Sequence, residues 1–165
     1  FNLGDEIDLD TSAPFEQDQH MIRGQEMWRL GMLEAARDEF EMLRFENELD
    51  PVNTYRMTKF FLDTGLYRSA IFAARQVLSL AGLNETATFN APIYFNHVRF
   101  GAYYREIVMQ AATDEDLDPL LLLSVIRQES LFEGFIESSA GAKGLMQIMP
   151  DTAKQTAKIM GFPRV

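Results

Sequence analysis

Apolar and polar positions alternate with helical spacing from His20 onward, and the pattern repeats. Leu30-Gly31-Met32-Leu33-Glu34-Ala35-Ala36 returns loosely as Thr64-Gly65-Leu66-Tyr67-Arg68-Ser69-Ala70. Gly31 and Gly65 stand 34 residues apart, as do Leu33 and Tyr67, and Ala36 and Ala70. The same shift lays Phe40 and Leu43 on Ala74 and Val77. A period of this length, with glycine at a turn and a small residue five positions on, is the signature of tetratricopeptide-like hairpins. Glycine allows the sharp turn, and alanine allows two backbones to approach. The pattern predicts helices over 20–30, 33–47, 52–63 and 67–81, with Asp50-Pro51 as the break between units. Two such units bury their faces poorly alone, so further helices are expected to stack on them.

Residues 82–92 carry Gly82, Asn84, Asn90 and Pro92 and are expected to form a loop. Residues 93–112 are expected to be helical and aromatic, with Tyr94, Phe95, Phe100, Tyr103 and Tyr104. Rings can stack on sugars, but their helical spacing favours core packing. Asp118 is positioned to cap a further helix with Pro119 at its first position. The four leucines Leu120–Leu123 cover every side of its first turn, which predicts a central helix ending near Glu129-Ser130. A last helix is expected over Asp151–Met160, stopped by Gly161 with Pro163 beyond. No strand pattern is present, so the fold class is all-α. The expected organisation is a poorly ordered lead-in over 1–18, a helical-hairpin region over 19–90 and a further helical domain over 91–165.

Composition narrows the function classes. An apolar fraction of 47% with 13 Phe supports a packed core. No run of 18 apolar residues exists, so no spanning helix is expected. The start, Phe1-Asn2-Leu3-Gly4-Asp5-Glu6, has neither the features of a signal peptide nor an initiator Met, and the chain is expected to be a piece of a longer one. The absence of cysteine excludes disulfides, thiol nucleophiles and Cys-based metal sites. His20 and His97 are far apart and lack a patterned carboxylate, so no metal site is expected and no cofactor is implied. Residues 1–50 hold 14 acids against 4 bases, whereas the remainder balances 11 against 11. That acidic half argues against nucleic acid or an anionic membrane as partner and is expected to be a solvated face.

The chemistry candidate is Glu129. Leu122, Val125, Ile126 and Glu129 fall at i, i+3, i+4 and i+7, which predicts a carboxyl group on an apolar stripe. An acid on a buried face, at the negative end of a helix, holds its proton and can act as a donor. The alternatives are a carboxylate that reaches solvent past the helix end, or one paired with Arg127 or Lys143. Glu133 and Glu137, beyond the helix, are expected to be exposed, and Lys143 to be a solvated charge. Ser130 by itself reads as a local backbone partner, and Met146 and Met149 as core filler.

Ile126-Arg127-Gln128-Glu129-Ser130-Leu131-Phe132, followed by Ser138-Ser139-Ala140-Gly141-Ala142-Lys143-Gly144-Leu145-Met146-Gln147-Ile148-Met149-Pro150-Asp151-Thr152-Ala153, resembles the catalytic core of soluble lytic murein transglycosylases. The resemblance covers about residues 100–160 strongly, and the hairpins are consistent with that family's helical superhelix. It implies a tetratricopeptide-like superhelix followed by the N-terminal part of a lysozyme-like domain. It implies Glu129 as sole acid/base, Ser130 as a cleft hydroxyl, Gly144 as the tight turn, and Leu145, Met146 and Gln147 as groove lining. The implied substrate is peptidoglycan glycan strands outside the cytoplasm, cut between N-acetylmuramic acid and N-acetylglucosamine to leave 1,6-anhydromuramoyl ends. Protein partners through the helical repeats are a further expectation. The family's later Ala-Tyr-Asn-type motif and further cleft tyrosine do not occur before Val165. Two other readings stay open: a goose-type lysozyme-like hydrolase, and a repeat scaffold that binds glycan or protein without cutting.

Overall fold

The computed structural model describes residues 15, 17–83 and 85–162, and these form helices, turns and two isolated β-bridges, without a strand among them. Most of the lead-in expected over 1–18 lies outside the described residues. Of the part that is described, Phe15 is buried and Asp18 caps the first helix by accepting from the His20 and Met21 amides at 2.7 and 3.3 Å.

The chain divides into two compact units, one up to Gly101 and one from Ala102. In the first, α1 (Gln19–Arg29) packs on α2 (Leu33–Glu46), and α3 (Pro51–Thr64) packs on α4 (Tyr67–Leu80). The two hairpins meet the expected bounds to within one residue. Gly31 and Gly65 take φ of +75° and +81°, and a Cβ on either would meet nothing within 4 Å. Both are therefore required for the left-handed backbone of the turn rather than for space. Ala36 and Ala70, five residues on, are fully buried where the helices cross. Close approach on the inner face of the first hairpin falls to Gly24, whose missing side chain leaves the place that the Phe40 ring fills. Phe40 in turn sits edge-on to Phe60 and Phe61, at 5.1 and 6.5 Å between centroids. Asp50 caps α3 through the Val52 and Asn53 amides, and Pro51 occupies the first helical position.

The helical stretch expected over 93–112 is divided into two helices. A 3-10 turn over Glu85–Asn90 leads into α5 (Ile93–Arg99), which packs on α4 and belongs to the first unit, past the division expected near residue 90. Tyr94 and Phe95 pack on Tyr55 at 5.5 and 6.0 Å. The helix stops because Gly101 follows and Tyr104 takes the left-handed region at φ +57°. Helical spacing of aromatics is silent about such a corner.

The second unit starts with α6 (Arg105–Asp114), which packs on α7 (Pro119–Ser130) and is followed, after a looped segment, by α8 (Pro150–Met160). Asp118 caps α7 through the Leu120 amide at 2.8 Å. The expectation of a helix buried all round is corrected: Leu120 is 68% exposed and Leu121 55%. The buried positions of α7 are Ile126 and Ser130, one turn apart. No helix among the described residues is long and apolar enough to cross a membrane.

Candidate functional site

The expected site residues occupy two places in the second unit, the end of α7 and a glycine turn. Glu129 is exposed and makes no hydrogen bond or ion pair among the described residues, which corrects the expectation of a buried acid. The reason is rotational. At 100° per residue Glu129 lies about 60° to one side of Ile126, on the shoulder of the buried line that runs through Ile126 to Ser130. In the last turn, nothing described stands beyond that shoulder to cover a long side chain. Ser130 is 3% exposed, and its hydroxyl donates to the Ile126 carbonyl at 3.0 Å, closing the last turn of the helix on itself.

Immediately after Ser130 the backbone leaves the helix abruptly. Leu131 and Phe132 take φ of +50° and +66°, two successive left-handed residues without a glycine. Such a conformation costs an L-residue roughly 1–2 kcal/mol. Burial of Phe132, 2% exposed and edge-on to Tyr103 at 5.2 Å, opposes that cost, since a fully buried Phe contributes about 1.5–3 kcal/mol. The corner turns Glu133 inward, with its amide donating to the Ser130 carbonyl at 3.2 Å. Glu133 is 2% exposed, against the expectation of a solvated residue. The segment thus holds two acids four residues apart with opposite surroundings. Glu129 faces water, and Glu133 is enclosed. A helical wheel cannot find Glu133, because the corner that buries it lies outside the helix.

The glycine turn is held by its own backbone and one side chain. Lys143 and Ile148 exchange both amide bonds at 3.1 Å, and the Gly144 amide reaches the Ile136 carbonyl at 3.0 Å. Gln147, at φ +47°, points its amide back into the turn and donates to the carbonyls of Ile136 at 3.2 Å and Gly144 at 3.0 Å. Gly144 has φ +75°, and a Cβ there would lie 3.7 Å from the Gly134 carbonyl, so its glycine is required by conformation rather than by crowding. A Cβ on Gly134 would stand 3.4 Å from the Tyr104 hydroxyl and 3.9 Å from Leu145, so these two side chains cover that face of the strap following the corner. The result joins Gly144, Leu145 and Gln147 to the strap and leaves Met146 40% exposed at the tip. Met149 is 43% exposed, so neither methionine is the core filler that its residue type suggested. Glu137 and Lys143 pair across the turn's base at 2.8 Å. No group of acids and histidines suited to a metal occurs among the described residues.

The arrangement offers an accessible carboxyl at a helix end and, farther along, a stapled turn with an apolar tip. Residues 106–164 match the family described as Transglycosylase SLT domain. Over 65 residues the chain is 35% identical to the soluble lytic murein transglycosylase of Salmonella typhimurium, a stretch covering 39% of this chain and 10% of that protein. An inactive variant of the lytic transglycosylase Slt from Pseudomonas aeruginosa superposes with a TM-score of 0.72 at 24% identity, covering 98% of this chain and 24% of that one. The 70 kDa soluble lytic transglycosylase of Escherichia coli superposes with a TM-score of 0.69 at 20% identity, covering the same shares. This chain therefore shares their helical fold and is homologous to lytic transglycosylases over its second unit, while spanning about a tenth of the curated relative's length and about a quarter of the solved chains'.

Proposed function

We propose that the second unit supplies the acid and one wall of the groove of a lytic transglycosylase that acts on peptidoglycan glycan strands outside the cytoplasm. The observation that carries the choice of acid is the contrast between Glu129 and Glu133. A polymeric glycan can reach only a carboxyl group that is open to solvent, and Glu129 is the exposed one, whereas Glu133 is 2% exposed. The hairpin unit is read as tetratricopeptide-like and the second unit as lysozyme-like, in keeping with the fold shared with solved lytic transglycosylases.

In this reading the glycan itself removes water from Glu129 as it settles in the groove, so the acid's environment changes on binding. Glu129 then protonates the glycosidic oxygen between N-acetylmuramic acid and N-acetylglucosamine, the bond from that oxygen to C1 of N-acetylmuramic acid breaks, and N-acetylglucosamine leaves with the proton as its hydroxyl. The cation-like C1 centre is stabilised by the N-acetyl group of the same sugar. The Glu129 carboxylate next takes the proton of the C6 hydroxyl, whose oxygen bonds to C1 and closes the 1,6-anhydro ring. An intramolecular nucleophile replaces water, and one carboxyl group serves twice. Met146, Leu145 and the backbone of Gly144 line the wall, and Gln147 holds it in shape. Ser130, closed on Ile126, acts by fixing the helix end that presents Glu129.

The test is analysis of muropeptides released from murein by the protein as its cell makes it, with Glu129→Gln and Glu133→Gln beside it. Removal of the acid should lower turnover at least 100-fold, the scale of a lost general acid, while 1,6-anhydro ends dominate the products of the unaltered protein. Unchanged turnover in Glu129→Gln sinks the assignment. Reducing ends instead of anhydro ends would replace it with hydrolysis by water.

A further inference from the structure

The first unit carries a concave pocket of about 230 Å³ between α2 and α4, lined by Arg37, Glu41, Arg44, Arg68, Ser69 and Phe72. Three arginines and one glutamate are among its lining residues. The concentration is unexpected, because residues 1–50 hold 14 acids and only 4 bases, and two of those four bases, Arg37 and Arg44, line this one pocket. Both are half-buried, at 19% and 22% side-chain exposure.

The arginines are held in place rather than left to sweep through solvent. Arg44 is fixed by Glu41 at 2.6 Å and by the Gln76 side-chain oxygen at 2.6 Å. Gln76 is itself tied to the Glu48 carbonyl at 2.7 Å. Arg37 pairs with Asp38 at 2.8 Å, and Asp38 does not line the pocket. Arg68 lies over the Phe72 ring, 5.5 Å from its centroid. Between Arg68 and Phe72 in sequence is Ser69. It is 1% exposed, and its buried hydroxyl has no hydrogen-bond partner among the described residues. Buried hydroxyls are almost always bonded, so Ser69 is an unused donor in the wall of this arginine-lined pocket.

We infer that this pocket binds an oxyanion, the carboxylate or phosphate group of a small organic ligand. Guanidinium forks match both groups in shape and charge. The ring of Phe72 and the stems of the arginines leave an apolar wall for the few carbons attached to the anion. The site lies within the hairpin unit and is independent of Glu129 and of the glycan reading.

The test is a pair of titrations of the 165-residue chain, one with inorganic phosphate and one with N-acetylglutamate, followed by amide chemical shifts of Ser69 and Phe72. Saturable shifts are expected in the millimolar range. A tighter carboxylate response identifies a peptide-like source, and a tighter phosphate response a phosphorylated one. Arg44→Gln combined with Arg68→Gln should weaken binding more than tenfold, whereas Arg29→Gln, outside the pocket, should leave it unchanged. Should the double variant fail to fold, Ser69→Ala takes its place, since it removes a hydroxyl that bonds to nothing described. It should keep the helical circular dichroism and bind several-fold more weakly. Shifts that never saturate with either probe, or equal binding by the folded variants, overturn the inference.

Discussion

Replacing Gln147 by alanine isolates what holds the glycine turn. The side chain donates two hydrogen bonds, to Ile136 and to Gly144. A protein hydrogen bond contributes about 0.5–1.5 kcal/mol net, so the pair contributes roughly 1–3 kcal/mol to the closed turn. Alanine also releases side-chain entropy, worth up to about 1.5–2 kcal/mol for a fully buried glutamine and about half that for this half-buried one. The backbone cost of φ +47° is common to both residues and cancels. The balance is a local destabilisation of about 1 kcal/mol, or roughly a fivefold rise in the open population. Amide hydrogen exchange reads it directly. The Gly144 and Ile148 amides, bonded to the Ile136 and Lys143 carbonyls, should exchange about fivefold faster. The α3 and α4 amides should keep their rates. Gln147→Glu should be worse than alanine, because it sets a carboxylate against two carbonyl oxygens. If Gln147→Ala leaves Gly144 and Ile148 exchanging at the original rate, the staple does not hold the turn, and its shape comes from backbone bonds alone.

Three further outcomes follow from the same geometry. Gly24→Ala should destabilise the first hairpin, since the new methyl would lie 2.4–2.9 Å from the Phe40 ring. Overpacking costs about 1–3 kcal/mol and outweighs the helix-propensity gain of about 1 kcal/mol, so thermal melting should occur at a lower temperature, and Phe40→Leu should recover part of the loss. Glu39 is held below the ordinary carboxylate range, chiefly by its hydrogen bond from Arg23, with burial opposing and His20 assisting. A group lowered on folding stabilises above its unfolded value of 4.5, and that contribution disappears as pH falls through the folded value. Melting of Glu39→Gln should therefore change less between about pH 6 and about pH 3, which bracket the carboxylate range, than melting of the unaltered chain, and parallel profiles would dismiss the pair. Under the proposed function, Glu129→Gln should lower glycan cleavage at least 100-fold without moving the melting temperature, as the side chain is exposed and makes no bond among the described residues; a large shift in melting would mean that the residue is structural.

The hairpins were legible because their chemistry is local. Gly31 and Gly65 announce turns, Asp50-Pro51 announces a helix start, and alanines at a fixed offset announce a crossing. The bounds of α7 and α8 were legible for the same reason, through Asp118-Pro119 and Gly161. What could not be read is what happens where a non-glycine residue enters the left-handed region. Tyr104 breaks one aromatic stretch into two helices, and Leu131-Phe132 redirects the chain so that Glu133 is enclosed. Propensity disfavours these conformations, and only tertiary contacts such as the Tyr103–Phe132 edge select them. The placement of Glu129 failed for a subtler reason. An i, i+3, i+4, i+7 pattern defines a stripe wide enough to include its own shoulder, and a residue on the shoulder in the last turn is covered only if another element stands beside it. The pairing of Lys143 with Glu137 and the exposure of Met146 and Met149 depend on the folded turn and have no periodic signal.

The corner at Leu131-Phe132 constrains how this segment can change over time. Glycine at 131 would relax the peptide torsion there, but it would also free a joint that now has one setting, and the acid two residues upstream and the enclosed acid one residue downstream of the corner would lose a common reference. Drift toward an easier backbone at that point is drift toward a looser joint, so the costlier residue is the one that limits the backbone there to fewer settings.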